Sequence, residues 1–430
     1  MDSFRSLFAD ALGKAPVAPP PDSAGFCRSI SSRLCTLCHA SVTAYDLEVP
    51  ARNRALQEFW RLLQPGPPLQ PLIRSPQGRH YRTTTKRKLQ MLRGTPVLSL
   101  IDSREGGGSR AMDVVRCAIE PESHARVYTH VAGFIAKPPA FLLTDALRYV
   151  VIRGNERELT IILTVQEITS QIVHITNTLS KGLTRACPEV RGVLLFEDDS
   201  NGRYYLGSRT PSKKRAVRKI FGTTDVYQRF GGRSFLFSSL AFSQVNASLV
   251  DTLIGTAGRL LRVEGDSILF DLYCGYGLFT LTLGAHAGTA VGIERSPEAV
   301  LAAKANALRN GIGNVRFVRC DITAETLEPL LSRATPGALF LLDPARGGTA
   351  PGVIEAVATT RPGRVVHLFC RIDLMPAELE RWRSAGYRLA EAVPFDMFPG
   401  TDEVEVMALF TPATIPAGNR TSEPTHTPHR

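Results

Sequence analysis

The chain has 430 residues, 43% of them hydrophobic and 21% charged, which is ordinary globular usage and excludes a wholly disordered chain. Its length suggests two or three domains, and no run reaches the ~18 apolar residues of a membrane span. Lys and Arg total 51 against 40 Asp and Glu, a balance of +11 that suits a polyanionic partner.

The first residues carry no basic region followed by an apolar run, so no secretory signal is expected and a cytoplasmic location is. An Ala- and Pro-rich stretch from Ala15 to Pro21 leads to the expectation of a flexible arm over 1–25. Between 26 and 243 the pattern is mixed. Short β-branched runs at 96–101, 147–153, 159–165, 190–196 and 203–206 read as strands. Thr169 to Arg185 has helical periodicity, so the region is predicted to be an α+β domain.

From 244 to 411 strands and helices alternate. Strands are predicted at 267–273, 289–294, 315–320, 338–342 and 364–369. Helices follow around 249–261, 278–283 and 297–310, the last with Pro at its first turn and Gly311 past its end. This order predicts a doubly wound parallel sheet, with a last strand at 405–410 pairing at its end. Residues 412–430 have no apolar period and read as a disordered tail.

Chemistry-bearing residues fall at successive strand ends of the second region. Asp271-Leu-Tyr-Cys-Gly-Tyr-Gly277 sits where a strand meets a helix, and Gly275 and Gly277 let the backbone approach a ligand. Glu294 lies 19 residues after Gly275, the spacing of a carboxylate that accepts from ribose hydroxyls. Thr280 occupies the third glycine position of a dinucleotide fingerprint, which disfavours a pyrophosphate and favours S-adenosylmethionine. Asp321 ends the next strand, where a carboxylate can face the adenine amino group. Asp343, Arg346 and Cys370 close two further strands at the ligand-binding edge.

Cys27, Cys35 and Cys38 cluster near the N-terminus, with Cys117 further on. In a chain without a secretory signal, metal binding is a better reading than disulfides, and this pattern suits either zinc or an iron–sulfur cluster. A basic stretch from Arg74 to Lys88 includes Tyr81, Arg82, Lys86 and Arg87. Its cations can hold phosphates while His80 or Tyr81 stacks on a base. Lys213 to Lys219 is a second basic run.

Several of these segments, with Phe242-Ser-Gln-Val-Asn246, Asp343-Pro-Ala-Arg-Gly347 and Asp396-Met-Phe-Pro-Gly-Thr401 followed by Glu405, resemble the RNA uracil-C5 methyltransferase family in order and spacing. The resemblance runs from about 26 to 410. It implies an α/β fold: a Rossmann-like class I S-adenosylmethionine methyltransferase domain, plus an N-terminal and central α+β domain carrying an iron–sulfur cluster. It implies Cys370 as nucleophile and Glu405 as base, with Gln244, Tyr273, Glu294, Asp321 and Asp343 at cofactor-contacting positions. Asp343 or Gln244 can alternatively hold the uracil edge. Arg346 is left between an RNA phosphate and a neighbouring acid. The resemblance favours a 4Fe–4S cluster held by Cys27, Cys35, Cys38 and Cys117, a pattern close to ribosomal RNA members without an N-terminal oligonucleotide-binding barrel. Ribosomal RNA is therefore the expected substrate and the enzyme is expected to act as a monomer, the alternatives being transfer RNA or a non-catalytic RNA-binding or ribosome-assembly protein of the same fold. One departure stands out: Arg371-Ile-Asp373 follows Cys370 where the family usually has Asn-Pro.

Overall fold

The computed structural model describes residues 3–14, 38–40, 43–102, 110–114, 116–198, 216–332 and 334–413. Two helices come first, α1 (Phe4–Gly13) and α2 (Tyr45–Leu63). Strands β1 (Thr84–Leu92), β2 (Thr95–Asp102), β3 (Arg110–Asp113), β4 (Leu147–Gly154), β5 (Leu159–Val165), β6 (Val190–Glu197) and β7 (Val217–Gly222) form a seven-stranded sheet, ordered β3-β2-β1-β4-β5-β6-β7. All neighbours are antiparallel except β5 and β6, whose parallel pairing needs a crossover. Helix α4 (Ser170–Ala186) supplies it, while α3 (Glu122–Ile135) joins it on the sheet. Ile172, Ile175, Leu179 and Leu183 recur at helical spacing on its buried face, and the Thr169 side chain accepts from the Ile172 N–H to start it.

A hairpin of β8 (Asp225–Phe230) and β9 (Arg233–Ser238) leads to the second sheet. This comprises β10 (Ile268–Leu272), β11 (Thr289–Glu294), β12 (Val315–Arg319), β13 (Leu339–Leu342), β14 (Arg364–Phe369), β15 (Tyr387–Phe395) and β16 (Glu405–Pro412), ordered β12-β11-β10-β13-β14-β16-β15. Strands β10 to β14 are parallel. Strand β16 is antiparallel to both β14 and β15, so it lies inside the sheet and β15 forms the edge, correcting the expectation that 405–410 ends it.

Helices cover both faces, as a parallel sheet requires. On one side lie α5 (Val250–Leu261), α6 (Leu278–Gly284), α7 (Pro297–Arg309) and the hairpin. On the other lie α8 (Ala324–Leu331), α9 (Val353–Thr359), α10 (Met375–Ser384) and also α1 and α2. The expected flexible arm over 1–25 is therefore corrected for Phe4–Gly13. Its Phe4 and Phe8 are 1% exposed and pack against the α2 core. Residues 15–25, the strand expected at 203–206, the start of the second basic run and the tail beyond Ala413 lie outside the described residues. Among the described residues no helix is long and apolar enough to cross a membrane.

Candidate active site

The carboxyl edge of the second sheet gathers the residues singled out from sequence. Strands β10, β11, β13 and β14 run parallel, so Asp271, Glu294, Asp343 and Cys370 all arrive at one edge. Strand β16 runs the other way, so its first residue, Glu405, meets that edge. Phe369 pairs with Val406, so Cys370 and Glu405 are the next residues of their chains at that end of the ladder.

The Cys370 Sγ lies 3.8 Å from the Asp343 Oδ1 and 3.6 Å from the Pro344 carbonyl. The other Asp343 oxygen accepts from the Gln244 amide at 3.4 Å. Glu405 is 3% exposed and, among the described residues, its Oε2 has no hydrogen-bond partner, a costly state for a buried acceptor. Burial, then the neighbouring Asp343, pushes the Glu405 carboxyl up to about 8, while Arg346 acts in the opposite sense. Burial pushes Asp343 up to about 7, and also Asp271, with Asp343 and Glu294 adding to the latter shift. The Cys370 thiol is pushed far up by burial and then by Glu405 and Asp343, so it rests as a neutral thiol. Arg346 faces this acidic edge, 3.5 Å from Glu403 and over the Phe398 ring.

Beside this group lies a cradle. Gly277 opens α6 at φ 90°, where a side chain is strained, and a Cβ there would press on the Phe317 ring at 3.1 Å. The backbone N–H groups of Gly275 and Ser296 donate to the two Glu294 oxygens at 3.2 and 2.7 Å, aiming the carboxylate while leaving lone pairs for a ligand. The Tyr273 hydroxyl is buried, and burial pushes it up to about 12. Asp321 is exposed at the end of β12.

The loop before Glu405 is fixed by a buried network that the sequence reading missed. Arg52 donates to the Thr401 and Glu403 carbonyls at 2.6 Å, and pairs with Glu48 at 2.7 Å and Asp396 at 3.5 Å. Glu48 in turn accepts from the Gly400 N–H at 2.7 Å. The available signal was Glu48 and Arg52 four apart on one helical face.

Two RNA-binding expectations are corrected. Tyr81 is buried and donates to the Pro399 carbonyl, so it braces this same loop instead of offering a face to a base. Arg87 is buried, 2.8 Å from Glu120 and over the Tyr128 ring, so its charge serves the interior. Lys86 is exposed and Arg82 half-exposed, while Arg218 and Lys219 are exposed on β7. Cys38 and Cys117 pack in one small cluster with Ala40, Tyr81, Ala118 and Ile119. Burial, Glu120 and then Cys38 raise the Cys117 thiol well above its ordinary range. Cys27 and Cys35 lie outside the described residues, among which no group of three or more His, Cys, Asp and Glu is arranged to hold a metal.

A solved structure of a Pyrococcus abyssi tRNA (uracil-54, C5)-methyltransferase in complex with S-adenosyl-L-homocysteine superposes with a TM-score of 0.63. It is 18% identical and the match covers 87% of this chain and 85% of that one. The fold is thus that of a Rossmann-like methyltransferase. The sequence profile of tRNA (Uracil-5-)-methyltransferases matches residues 214–412. A Geobacter sulfurreducens protein named only as an RNA methyltransferase is 30% identical over 358 residues, 81% of this chain and 69% of its own length. A 23S rRNA (uracil(1939)-C(5))-methyltransferase of Edwardsiella ictaluri is 38% identical over 199 residues, 46% of this chain and 44% of that protein. The chain belongs to the RNA uracil-C5 methyltransferase family.

Proposed function

We propose that this enzyme methylates uracil C5 in ribosomal RNA, with Cys370 as nucleophile and Glu405 as base. The carrying observation is that Cys370 and Glu405 flank the Phe369–Val406 pair at one end of the ladder, with Asp343 3.8 Å from the thiol. S-adenosylmethionine supplies the methyl group when bound. The buried Tyr273 hydroxyl, the glycine cradle and the aimed Glu294 carboxylate fit its adenosine and amino acid parts. Tyr273, Gly275, Gly277, Glu294 and Asp321 would hold it, with Gln244 and Asp343 at the border with the uracil.

Uracil C5 is too weak a nucleophile to take a methyl group unaided. The Cys370 Sγ adds to C6, and its proton passes to the Asp343 carboxylate. The C5=C6 pair moves to C5, which takes the methyl group. Glu405 then removes the C5 proton. That electron pair re-forms C5=C6 as the C6–S bond breaks, and the thiolate recovers its proton. Covalent addition thus divides one hard step into easier ones. The target base must leave its stack to enter the pocket, and Arg346 is positioned to exchange Glu403 for a phosphate there.

Cys27, Cys35, Cys38 and Cys117 are read as ligands of a 4Fe–4S cluster, supported by the packing of Cys38 with Cys117. Its role is structural: the neighbouring His39 N–H donates to the Gly400 carbonyl of the catalytic loop at 2.9 Å.

Ribosomal RNA is favoured by the cysteine pattern and the Edwardsiella relative, transfer RNA by the Pyrococcus structure. Labelled methyl donor with separate 23S and transfer RNA transcripts decides between them. Methyl incorporation that survives Cys370→Ala would sink the mechanism. Glu405→Gln should accumulate a covalent RNA adduct resistant to denaturation, and failure to trap one counts against its role as base. Anaerobically purified protein should be brown and contain iron and sulfide. A colourless zinc protein would refute the cluster.

A further inference from the structure

The residues after Cys370 depart from the family pattern, and α1 has no part in the chemistry described so far. The two meet. The N–H of Phe4, in the first turn of α1, donates to the Asp373 Oδ1 at 3.2 Å, and Asp373 lies three residues after Cys370. An acid at a helix N-terminus is favoured by the helix dipole as well as by the bond. One residue on, the Arg5 Nε lies 2.5 Å from the Asp402 Oδ2, and its Nη2 is 3.9 Å from Glu403. Glu403 is also the partner of Arg346. The first turn of α1 therefore touches the segment behind the nucleophile and the segment before the base.

The helix itself is firmly seated. Phe4 and Phe8 stack at 5.8 Å, Phe4 meets Phe59 edge-on, and the Arg52 guanidinium lies 4.4 Å over the Phe8 ring. Arg52 is the residue that holds the Thr401 and Glu403 carbonyls. A turn anchored on that floor can hold Asp373 and Asp402 in fixed relation.

We propose that Arg5 is a positioning residue for methylation, with Asp373 as its counterpart. Together they strap the Cys370 loop to the Glu405 loop and fix the spacing between nucleophile and base. Arg5 also occupies Asp402, leaving Arg346 to answer Glu403 and the carboxyls at the sheet edge. This inference rests on the reading of Cys370 and Glu405 given above.

The test uses the full chain with RNA substrate and, separately, the same RNA containing 5-fluorouracil, which cannot release a C5 proton and so reports addition and methyl transfer as a stable adduct. The Arg5–Asp402 pair is solvent-exposed, so Arg5→Ala should move the melting temperature by no more than about 2 °C. It should lower kcat about tenfold with KM for RNA unchanged, because small displacements of reacting groups slow the chemical step. Adduct formation should slow in parallel. Arg5→Lys should restore most of the rate, and so should the exchanged pair Arg5→Asp with Asp402→Arg. Asp373→Ala should resemble Arg5→Ala. Wild-type kcat in Arg5→Ala overturns the inference, as does a loss confined to KM, which would make Arg5 an RNA contact. A rate loss that only follows lost stability, with no rescue by the exchanged pair, also overturns it. Wild-type protein that forms no adduct overturns the reading of Cys370 and this inference with it, whereas wild-type adduct with unaltered Arg5→Ala overturns the inference alone.

Discussion

Asp271, Asp343 and Glu405 share one buried sheet edge, and Arg346 is the cation whose charge reaches Glu405. In the proposed role of base Glu405 must be ionised to take a proton, and it is held up to about 8. For the free enzyme, kcat/KM should therefore rise with pH toward a plateau above about 8. Arg346→Ala removes the influence that lowers Glu405, so its pH profile should shift to higher pH; an unshifted profile would separate Glu405 from the rate. The same shift has a stability consequence of the opposite sense. Between the ordinary carboxyl pKa near 4.5 and about 8, the folded state keeps a proton that the unfolded state loses, so stability falls as pH rises through that window. Glu405→Gln removes this dependence. The variant should melt higher than wild type at pH 8.5 and no higher at pH 4, as thermal unfolding at the two pH values would reveal. Cys370 and Glu405 stand out as candidates by their motifs, yet their meeting at one sheet edge is not legible, since it depends on the reversed direction of β16. Arg87 was misread because a basic run looks solvated. Its parity with Thr85 and Leu89, two apart on one strand face, was the local sign that it points inward.

At the scale of elements, α2 works as a support for the loop before Glu405. Arg52 is fully buried against Glu48 and Asp396, and its guanidinium also takes the Thr401 and Glu403 carbonyls. Removing one partner of a buried ion pair leaves charge uncompensated, so Arg52→Ala should cost about 3–5 kcal/mol in urea unfolding. The exposed Arg61→Ala, whose Glu58 bridge is solvated, should cost little. Equal losses for the two variants would remove the case for α2 as the support. The strands of the parallel sheet were legible because apolar runs bounded by Gly, Asp and Pro carry their own signal. Strand β15 was not, as the pairing that makes it an edge is made with residues beyond Glu405. Helix α1 could have been found: Phe4, Leu7, Phe8 and Ala11 have helical spacing. The Pro-rich stretch after it dominated the composition of the segment, and its contacts lie hundreds of residues away at Asp373 and Asp402.

For the whole molecule, the balance of +11 is not one undivided RNA-binding charge. Arg52 and Arg87 are buried in ion pairs, and Arg79 is largely enclosed beside Glu48. Arg346, Lys86, Arg218 and Lys219 remain exposed. Only cations that displace counterions from phosphate contribute to the salt dependence of RNA binding, each adding about 0.7 to the slope of log K against log salt for a single-stranded target. The buried arginines cannot do so without unfolding their sites. Arg346→Ala should thus lower the slope by about one such increment and weaken binding most at low salt. Arg87→Met should leave the slope unchanged while lowering the melting temperature, because Glu120 loses its buried partner. Filter binding of the RNA substrate from low to moderate salt measures both slopes. A reduced slope for Arg87→Met would return that residue to the RNA interface, and an unchanged slope for Arg346→Ala would leave Glu403 as its sole partner throughout catalysis.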